Sequence, residues 1–218
     1  MRPAPIIIPG LPRASPRFQD RRPLPEARRT FRDSNGRELA QPAIQGFACL
    51  FETAFEHEGR LVYFKGDAFV ATLHDGKVKR LLLDHSAGKQ VGSTASGLEF
   101  SNTTRGLAFR HPLAGADGET IHRNVVDGTR ACLSVGITLD EYETREVAGH
   151  LVDIVARASL SEVSLVKQGA VPETFASIVD LTNEPDLWTA ARQPAFARAK
   201  VVANVEARAR RIIERLAT

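Results

Sequence analysis

Polar and apolar residues between positions 44 and 180 alternate in short runs that are typical of β-strands. In such a run, successive side chains point to opposite faces of a sheet. Turn-forming pairs such as Asp75-Gly76 and Asp127-Gly128 separate the runs. The pattern predicts eight strands, at residues 44–51, 61–64, 78–83, 98–101, 107–111, 132–142, 146–156 and 161–166.

Helical patterns are few in this region. They predict helices at residues 68–73 and 117–127. Many short strands with few helices favour a mainly β fold (α+β), either a β-barrel or a sandwich that carries one or two helices.

Both ends of the chain differ from this middle part. Residues 1–41 are rich in proline and arginine and lack hydrophobic periodicity, so they predict a disordered basic arm. Residues 42–180 form the predicted folded domain. Residues 181–218 predict a linker followed by a basic amphipathic helix. Its apolar positions recur at helical spacing: Val201, Val205, Ala209, Ile212 and Leu216.

Composition narrows the range of functions. The net charge of the 218 residues is +3, but arginines concentrate at both ends. Basic ends could bind nucleic acid or an acidic protein, although solvated arms are the commoner reason, so we do not expect a nucleic-acid partner.

The two cysteines lack metal-ligand spacing, and we expect neither a metal nor another cofactor. No segment has the length of a signal-peptide core or a membrane span, which predicts a soluble, intracellular protein.

The run 131–137 carries the strongest chemical signal. Three apolar side chains lie on one face: Leu133, Val135 and Ile137. Three small side chains lie on the other: Cys132, Ser134 and Gly136. The small face leaves room for a molecule to approach Ser134, which we predict to be a nucleophile. A serine needs a nearby base and a group that orients that base. Cys132 is interpreted as a free core cysteine.

Two other residues are candidates for those partners. His85 ends an apolar strand and precedes a glycine-bearing loop, where an imidazole could act as a general base or merely cap the strand. Glu162 lies mid-strand on the face opposite Val163 and Leu165, and a buried carboxylate must be paired or functional. It could orient His85, and a salt bridge to Arg157 explains it equally well.

The order of these segments resembles that of the caudovirus prohead proteases. The resemblance rests on Asp84-His85 with Gly88 and Val91-Gly92-Ser93, on Gly106-Leu107-Ala108-Phe109, on Leu133-Ser134-Val135-Gly136, and above all on Leu160-Ser161-Glu162-Val163-Ser164-Leu165-Val166. Gly66-Asp67-Ala68-Phe69 is similar to the Pro-Gly-Ala-Phe segment of the family. The similarity covers about residues 44–179. Lys167-Gln168 stands where the family usually has Pro-Ala.

That family is similar in fold to the herpesvirus assemblins, so the resemblance implies a compact β-barrel flanked by helices. The resemblance implies that His85 is the general base, Ser134 the nucleophile and Glu162 the third catalytic member. Assemblins use a second histidine in that third role. The rivals of Glu162 are therefore His111, His122 and His150.

The resemblance also implies a biological role. Such enzymes cleave scaffold and major capsid protein segments inside the immature phage head, and often cleave themselves. We therefore expect these two proteins as substrates, no membrane partner, and a location inside the prohead in the cytoplasm of the bacterial host. A homodimer is expected because assemblins become active on dimerising.

A second hypothesis treats the three residues as incidental. The chain would then be a catalytically silent β-barrel that serves as a structural or nucleic-acid-binding module. The separation of Ser134 from His85 discriminates between the two, because a serine and its base must lie within reach of each other.

Overall fold

The computed structural model describes residues 30–33, 35–57, 60–147, 149–169 and 174–182. The predicted linker and C-terminal helix, from residue 183 onward, and residues 1–29 of the predicted arm lie outside the described residues. Within these ranges, no helix is long and apolar enough to cross a membrane.

The described residues form ten strands and two helices. The strands are β1 Pro42–Leu50, β2 Ala54–His57, β3 Arg60–Phe64, β4 Arg80–Leu83, β5 Ser86–Ser93, β6 Glu99–Asn102, β7 Gly106–Pro112, β8 Cys132–Val147, β9 His150–Val166 and β10 Ala176–Asp180. The helices are α1 Val70–Leu73 and α2 Gly115–Val126, and a 3-10 turn spans Thr94–Ser96. This content confirms the mainly β prediction.

The strands form two sheets. One has four antiparallel strands in the order β10-β1-β7-β6. The other follows the order β2-β3-β9-β4-β5, and β8 pairs along β9. β9 is parallel to β3 and β4 and antiparallel to β8. Apolar side chains from both sheets form a shared core that includes Ile44, Leu107, Phe109, Leu81, Leu133 and Leu165.

The barrel that the family resemblance implies is not closed in the part of the chain that the structure describes. The described strands remain in two sheets, which meet through the core and at an isolated bridge between Cys132 and Phe175. Packing one sheet on the other already buries the apolar face of each. The alternation pattern predicts such a buried face but does not encode whether a sheet closes on itself.

Most predicted strands are present, with changes at their ends. Residues 146–156 and 161–166 were predicted as two strands, but from His150 onward they belong to the single strand β9. Three strands were not predicted: β2, β5 and β10. The segment after His85 was expected to be a loop and is instead β5. Its first residues are polar or small and exposed at the sheet edge, so they show no apolar alternation.

Folded structure begins earlier than residue 42. Phe31 and Leu39 are buried, and Arg32 forms a β-bridge with Glu38. The carboxylate of Asp180 accepts hydrogen bonds from the backbone N–H groups of residues 40 and 41, at 2.9 and 3.1 Å. The described residues between 30 and 41 therefore pack on the domain rather than forming part of a disordered arm.

Candidate active site

The site is built on the neighbouring strands β4, β9 and β8. Ser134 on β8 lies opposite Ser164 on β9, and Gly136 lies opposite Glu162. Residues directly opposite each other project from the same face of a sheet. Ser134, Gly136, Glu162 and Ser164 therefore share one face, while Leu133 on the opposite face lies in the core.

His85 is carried by a two-residue turn between β4 and β5. Both Asp84 and His85 have left-handed backbone conformations, with φ of 52° and 57°, as in a type I′ hairpin turn. This conformation costs roughly 1–2 kcal/mol per non-glycine residue. Contacts with β9 hold it in place: Asp84 N–H donates to the Leu165 carbonyl (3.0 Å), and His85 N–H donates to Ser164 Oγ (3.1 Å).

The turn places the imidazole against the predicted carboxylate. His85 Nδ1 lies 2.6 Å from Glu162 Oε1. The Glu162 side chain is 7% exposed, whereas that of His85 is 46% exposed. Because an ionised carboxylate can only accept, Nδ1 carries the hydrogen in this pair. The other nitrogen, Nε2, is then the basic one.

Ser164 connects the turn and the carboxylate. Its hydroxyl donates to Glu162 Oε2 at 2.6 Å and accepts from the His85 backbone N–H. Ser164 is fully buried. One serine thus fixes the backbone of His85 and the second oxygen of Glu162. Its role was not predicted, although it shares a strand face with Glu162 in the sequence.

Gly136 provides the space that the carboxylate occupies. A Cβ atom at this position would lie 2.4 Å from Glu162 Oε1 and 2.8 Å from Glu162 Cγ. In the sequence, the small residues on this face of β8 indicate room for a molecule to approach Ser134. The structure adds that a glycine opposite Glu162 is needed for the carboxylate to reach His85.

Ser134 lies one strand away from this pair. Opposite Cα atoms in antiparallel strands are about 4.5–5.5 Å apart, so Ser134 is adjacent to the serine that binds His85. No hydrogen bond joins Ser134 Oγ to His85 in the described part of the chain, and such bonds are often loose in free enzymes. The three predicted residues lie on one face of neighbouring strands rather than on opposite sides of the fold.

The rival residues lie elsewhere. The His111 ring packs against Gly92, and burial lowers the pKa of His111. His122 Nε2 is hydrogen-bonded to the Arg32 carbonyl. His150 begins β9, about 40 Å of strand from Glu162 at ~3.3 Å per residue.

The alternative salt bridge for Glu162 is also not formed. Arg157 Nη1 lies 3.7 Å from Glu141 Oε2, and both side chains are exposed. Within the described ranges, the partners of the Glu162 carboxylate are therefore His85 and Ser164.

A second ion pair holds the turn from the side of α2. Arg130 Nε lies 2.9 Å from both carboxylate oxygens of Asp84, and Arg130 Nη2 lies 2.7 Å from Oδ2. Arg130 Nη1 also donates to Asn124 Oδ1 at 2.9 Å. The hydrogen bond from Arg130 lowers the pKa of Asp84. Neither Arg130 nor Asn124 was predicted, because no local pattern relates them to residue 84.

The described residues contain no group of three or more His, Cys, Asp or Glu side chains that could hold a metal ion. Both cysteines are free, and burial raises the pKa of the Cys49 thiol. Cys132 is partly buried, in the position next to Ser134 on the same strand face.

Comparisons with known proteins give one family model and a set of solved structures that are similar to this chain. The model of a family described as caudovirus prohead serine protease matches residues 30–185. Among solved structures, the protease of Kaposi's sarcoma herpesvirus with a hexapeptide phosphonate inhibitor is 14% identical, with a TM-score of 0.44 and 77% of each chain covered. The same protease with an allosteric inhibitor is 11% identical, with a TM-score of 0.39 and coverage of 77% of this chain and 90% of that chain. No curated protein matches.

Proposed function

This chain belongs to the caudovirus prohead serine protease family, and we propose that Ser134, His85 and Glu162 carry out its peptidase activity in capsid maturation. The observation that carries this proposal is the His85–Glu162 pair on the strand face of Ser134. A buried carboxylate is costly unless it is paired. The contact with His85 that offsets this cost also fixes the orientation of the imidazole, as the third member of a serine-protease triad does.

The mechanism follows from these roles. As Ser134 Oγ attacks the scissile carbonyl, His85 Nε2 accepts the serine proton, and the Glu162 carboxylate stabilises the imidazolium. His85 then gives that proton to the leaving amine. In the second half, His85 takes a proton from water as the water oxygen attacks the acyl carbonyl. His85 then returns that proton to Ser134 Oγ as the acyl C–O bond breaks, which restores the serine hydroxyl. Ser164 keeps the Glu162 carboxylate directed at Nδ1 throughout.

The substrates in this proposal are segments of the scaffold and major capsid proteins, together with the enzyme itself. Cleavage takes place inside the prohead, in the cytoplasm of the bacterial host. Confinement in a closed shell gives a high effective concentration of substrate, so a modest intrinsic affinity is sufficient. A homodimer remains a prediction from the family resemblance.

Co-expression with the capsid and scaffold proteins of the same phage tests this proposal. Intact-mass spectrometry compares the wild type with Ser134→Ala, and Cys132→Ala is the matched control on the same strand face. Fragments should form with the wild type and Cys132→Ala and be absent with Ser134→Ala.

Two results would contradict the proposal. Identical fragments with Ser134→Ala would exclude this serine as the nucleophile. Absence of fragments with every variant, in preparations where electron microscopy shows assembled shells, would favour the catalytically silent module.

A further inference from the structure

Phe175 is an exposed aromatic residue beside the candidate nucleophile. It is 58% exposed, although most other phenylalanines among the described residues are buried. It forms the isolated bridge with Cys132, two positions before Ser134. Its place next to the site, rather than its exposure alone, makes it a candidate for contact with substrate.

The bridge geometry fixes where the side chain points. Leu133 N–H donates to the Thr174 carbonyl (3.2 Å), and Ala176 N–H donates to the Ala131 carbonyl (2.9 Å). These two bonds flank Cys132 and Phe175, which therefore form a non-hydrogen-bonded pair with side chains close together on one face. Because Cys132 shares its strand face with Ser134, the Phe175 ring lies on the face of the candidate site.

A third residue extends this row across the sheet. Cys132 also lies opposite Val166 on β9. The row Phe175, Cys132 and Val166 runs beside the row formed by Ser134 and Ser164. The two rows are separated by two residues along β8, which is about 7 Å. That distance is the rise of two residues in an extended peptide, whose side chains then point to the same side.

The backbone beneath the ring is held firmly. Thr174 is buried, and its hydroxyl donates to the Leu133 carbonyl at 3.2 Å. The Phe175 carbonyl packs on Gly46, where a Cβ atom would lie 2.4 Å away. The ring is therefore presented by a segment anchored on both β1 and β8.

We propose that Phe175, with Cys132 and Val166, lines a substrate subsite for an apolar side chain close to the scissile bond. This inference rests on Ser134 being the nucleophile proposed above. An apolar side chain of the substrate is stabilised when it is buried against such a surface, because its apolar area is removed from water. The occupant is a residue of the capsid or scaffold polypeptide, so every cleaved bond should have an apolar residue at one constant position nearby.

The test separates peptide recognition from nucleophile chemistry. Phe175→Ala and Phe175→Leu are assembled into proheads, with Leu151→Ala as the control, since Leu151 is 56% exposed on the distant part of β9. Two rates are measured: cleavage of the capsid protein, and labelling of Ser134 by a small alkyl fluorophosphonate that lacks flanking residues. Fragment termini are sequenced to locate the cleaved bonds.

The expected result is a 10- to 100-fold slower cleavage by Phe175→Ala, in line with the ~10–200-fold that apolar subsites contribute. Labelling should be unchanged, Phe175→Leu should retain most of the activity, and Leu151→Ala should match the wild type. Unchanged cleavage by Phe175→Ala, loss of labelling along with cleavage, or cleaved bonds without a constant apolar neighbour would each overturn the subsite. Absence of labelling in the wild type would instead overturn the proposed nucleophile.

Discussion

Substituting Gly136 by alanine probes the His85–Glu162 pair without changing either residue. A Cβ atom here would lie 2.4 Å from Glu162 Oε1, and real Cβ contacts are almost never shorter than 3.0 Å. Cγ and Cδ of Glu162 would also be too close, or nearly so, at 2.8 and 3.0 Å. The whole carboxylate must therefore move away, by more than half an ångström.

That movement breaks the contact that orients His85, the proposed base. Oε1 now lies 2.6 Å from His85 Nδ1, and Oε2 is held by Ser164, so the carboxylate cannot retreat without losing at least one bond. A misplacement of about 1 Å in an active site costs ~100-fold in rate, and loss of the orienting carboxylate of a triad costs ~10⁴-fold. We expect Gly136→Ala to lower the cleavage rate by about 10²- to 10⁴-fold. Crowding of this kind destabilises the fold by only about 1–3 kcal/mol.

The assay is the rate of capsid protein cleavage in assembled proheads, with folding checked by the thermal unfolding midpoint. Gly88→Ala is the matched control, because nothing lies within 4 Å of a Cβ atom at that position. The decisive comparison uses the Glu162→Ala background, in which the added methyl group has no carboxylate to displace. Gly136→Ala should then have no further effect.

Two results would refute this reasoning. One is near-normal activity of a folded Gly136→Ala. The other is an equal loss of activity in both backgrounds, which would mean that the methyl group acts on Ser134 or on substrate instead.

Two further predictions concern the Arg130–Asp84 ion pair, which holds the turn of His85, and the Asp180 carboxylate, which accepts hydrogen bonds from the backbone of residues 40 and 41. Arg130→Gln should slow cleavage by about 10-fold, because the His85 turn is misplaced, with little change in Tm. The matched surface substitution Arg110→Gln should have no effect. Equal cleavage rates for the two variants would exclude the role of Arg130. Hydrogen bonds from backbone N–H groups lower the pKa of Asp180 well below its usual range, so its stabilising effect is present at neutral pH and is lost as pH falls from about 4 toward that lower pKa. Tm measured against pH should therefore be lower for Asp180→Asn than for the wild type at pH 7, with the difference shrinking below pH 4; a constant difference would contradict the assignment.

The alternation of residues in single strands could be read correctly from the sequence. It placed Glu162 on the strand face that points away from the core-facing Val163 and Leu165. It likewise placed Ser134 on the face that points away from Leu133, and the structure agrees in both cases. It required Glu162 to be paired, which the structure satisfies. The alternation could not identify the partner of Glu162, because Arg157 and His85 were equally acceptable as partners. His85 lies 77 residues from Glu162 in the sequence.

The features that were missed depend on contacts between distant segments. The pairing of Cys132 with Phe175 and the contact of Arg130 with Asp84 join segments about 45 residues apart, and neither side of these contacts carries a local pattern. The strand β5 was missed for a different reason: its exposed edge position removes the apolar alternation on which the prediction relied. The strand pattern left a barrel and a sandwich open, because short strands occur equally in barrels and in packed sheets, and the barrel was expected from the family resemblance.

The central position of β9 explains why the spacing of polar residues along this strand matters more than the spacing along the other strands. β4 and β8 flank the second half of β9, so Glu162 and Ser164 face the base from one neighbour and the candidate nucleophile from the other. Residues two apart on a strand share a face, and a shift of one residue would turn both side chains into the core. Insertion of one residue between Glu162 and Ser164 would therefore separate the carboxylate from its hydroxyl donor, while the strand of Ser134 and the turn of His85 keep their sequences. The Glu-x-Ser spacing on β9, more than either flanking segment, couples His85 to the strand of Ser134.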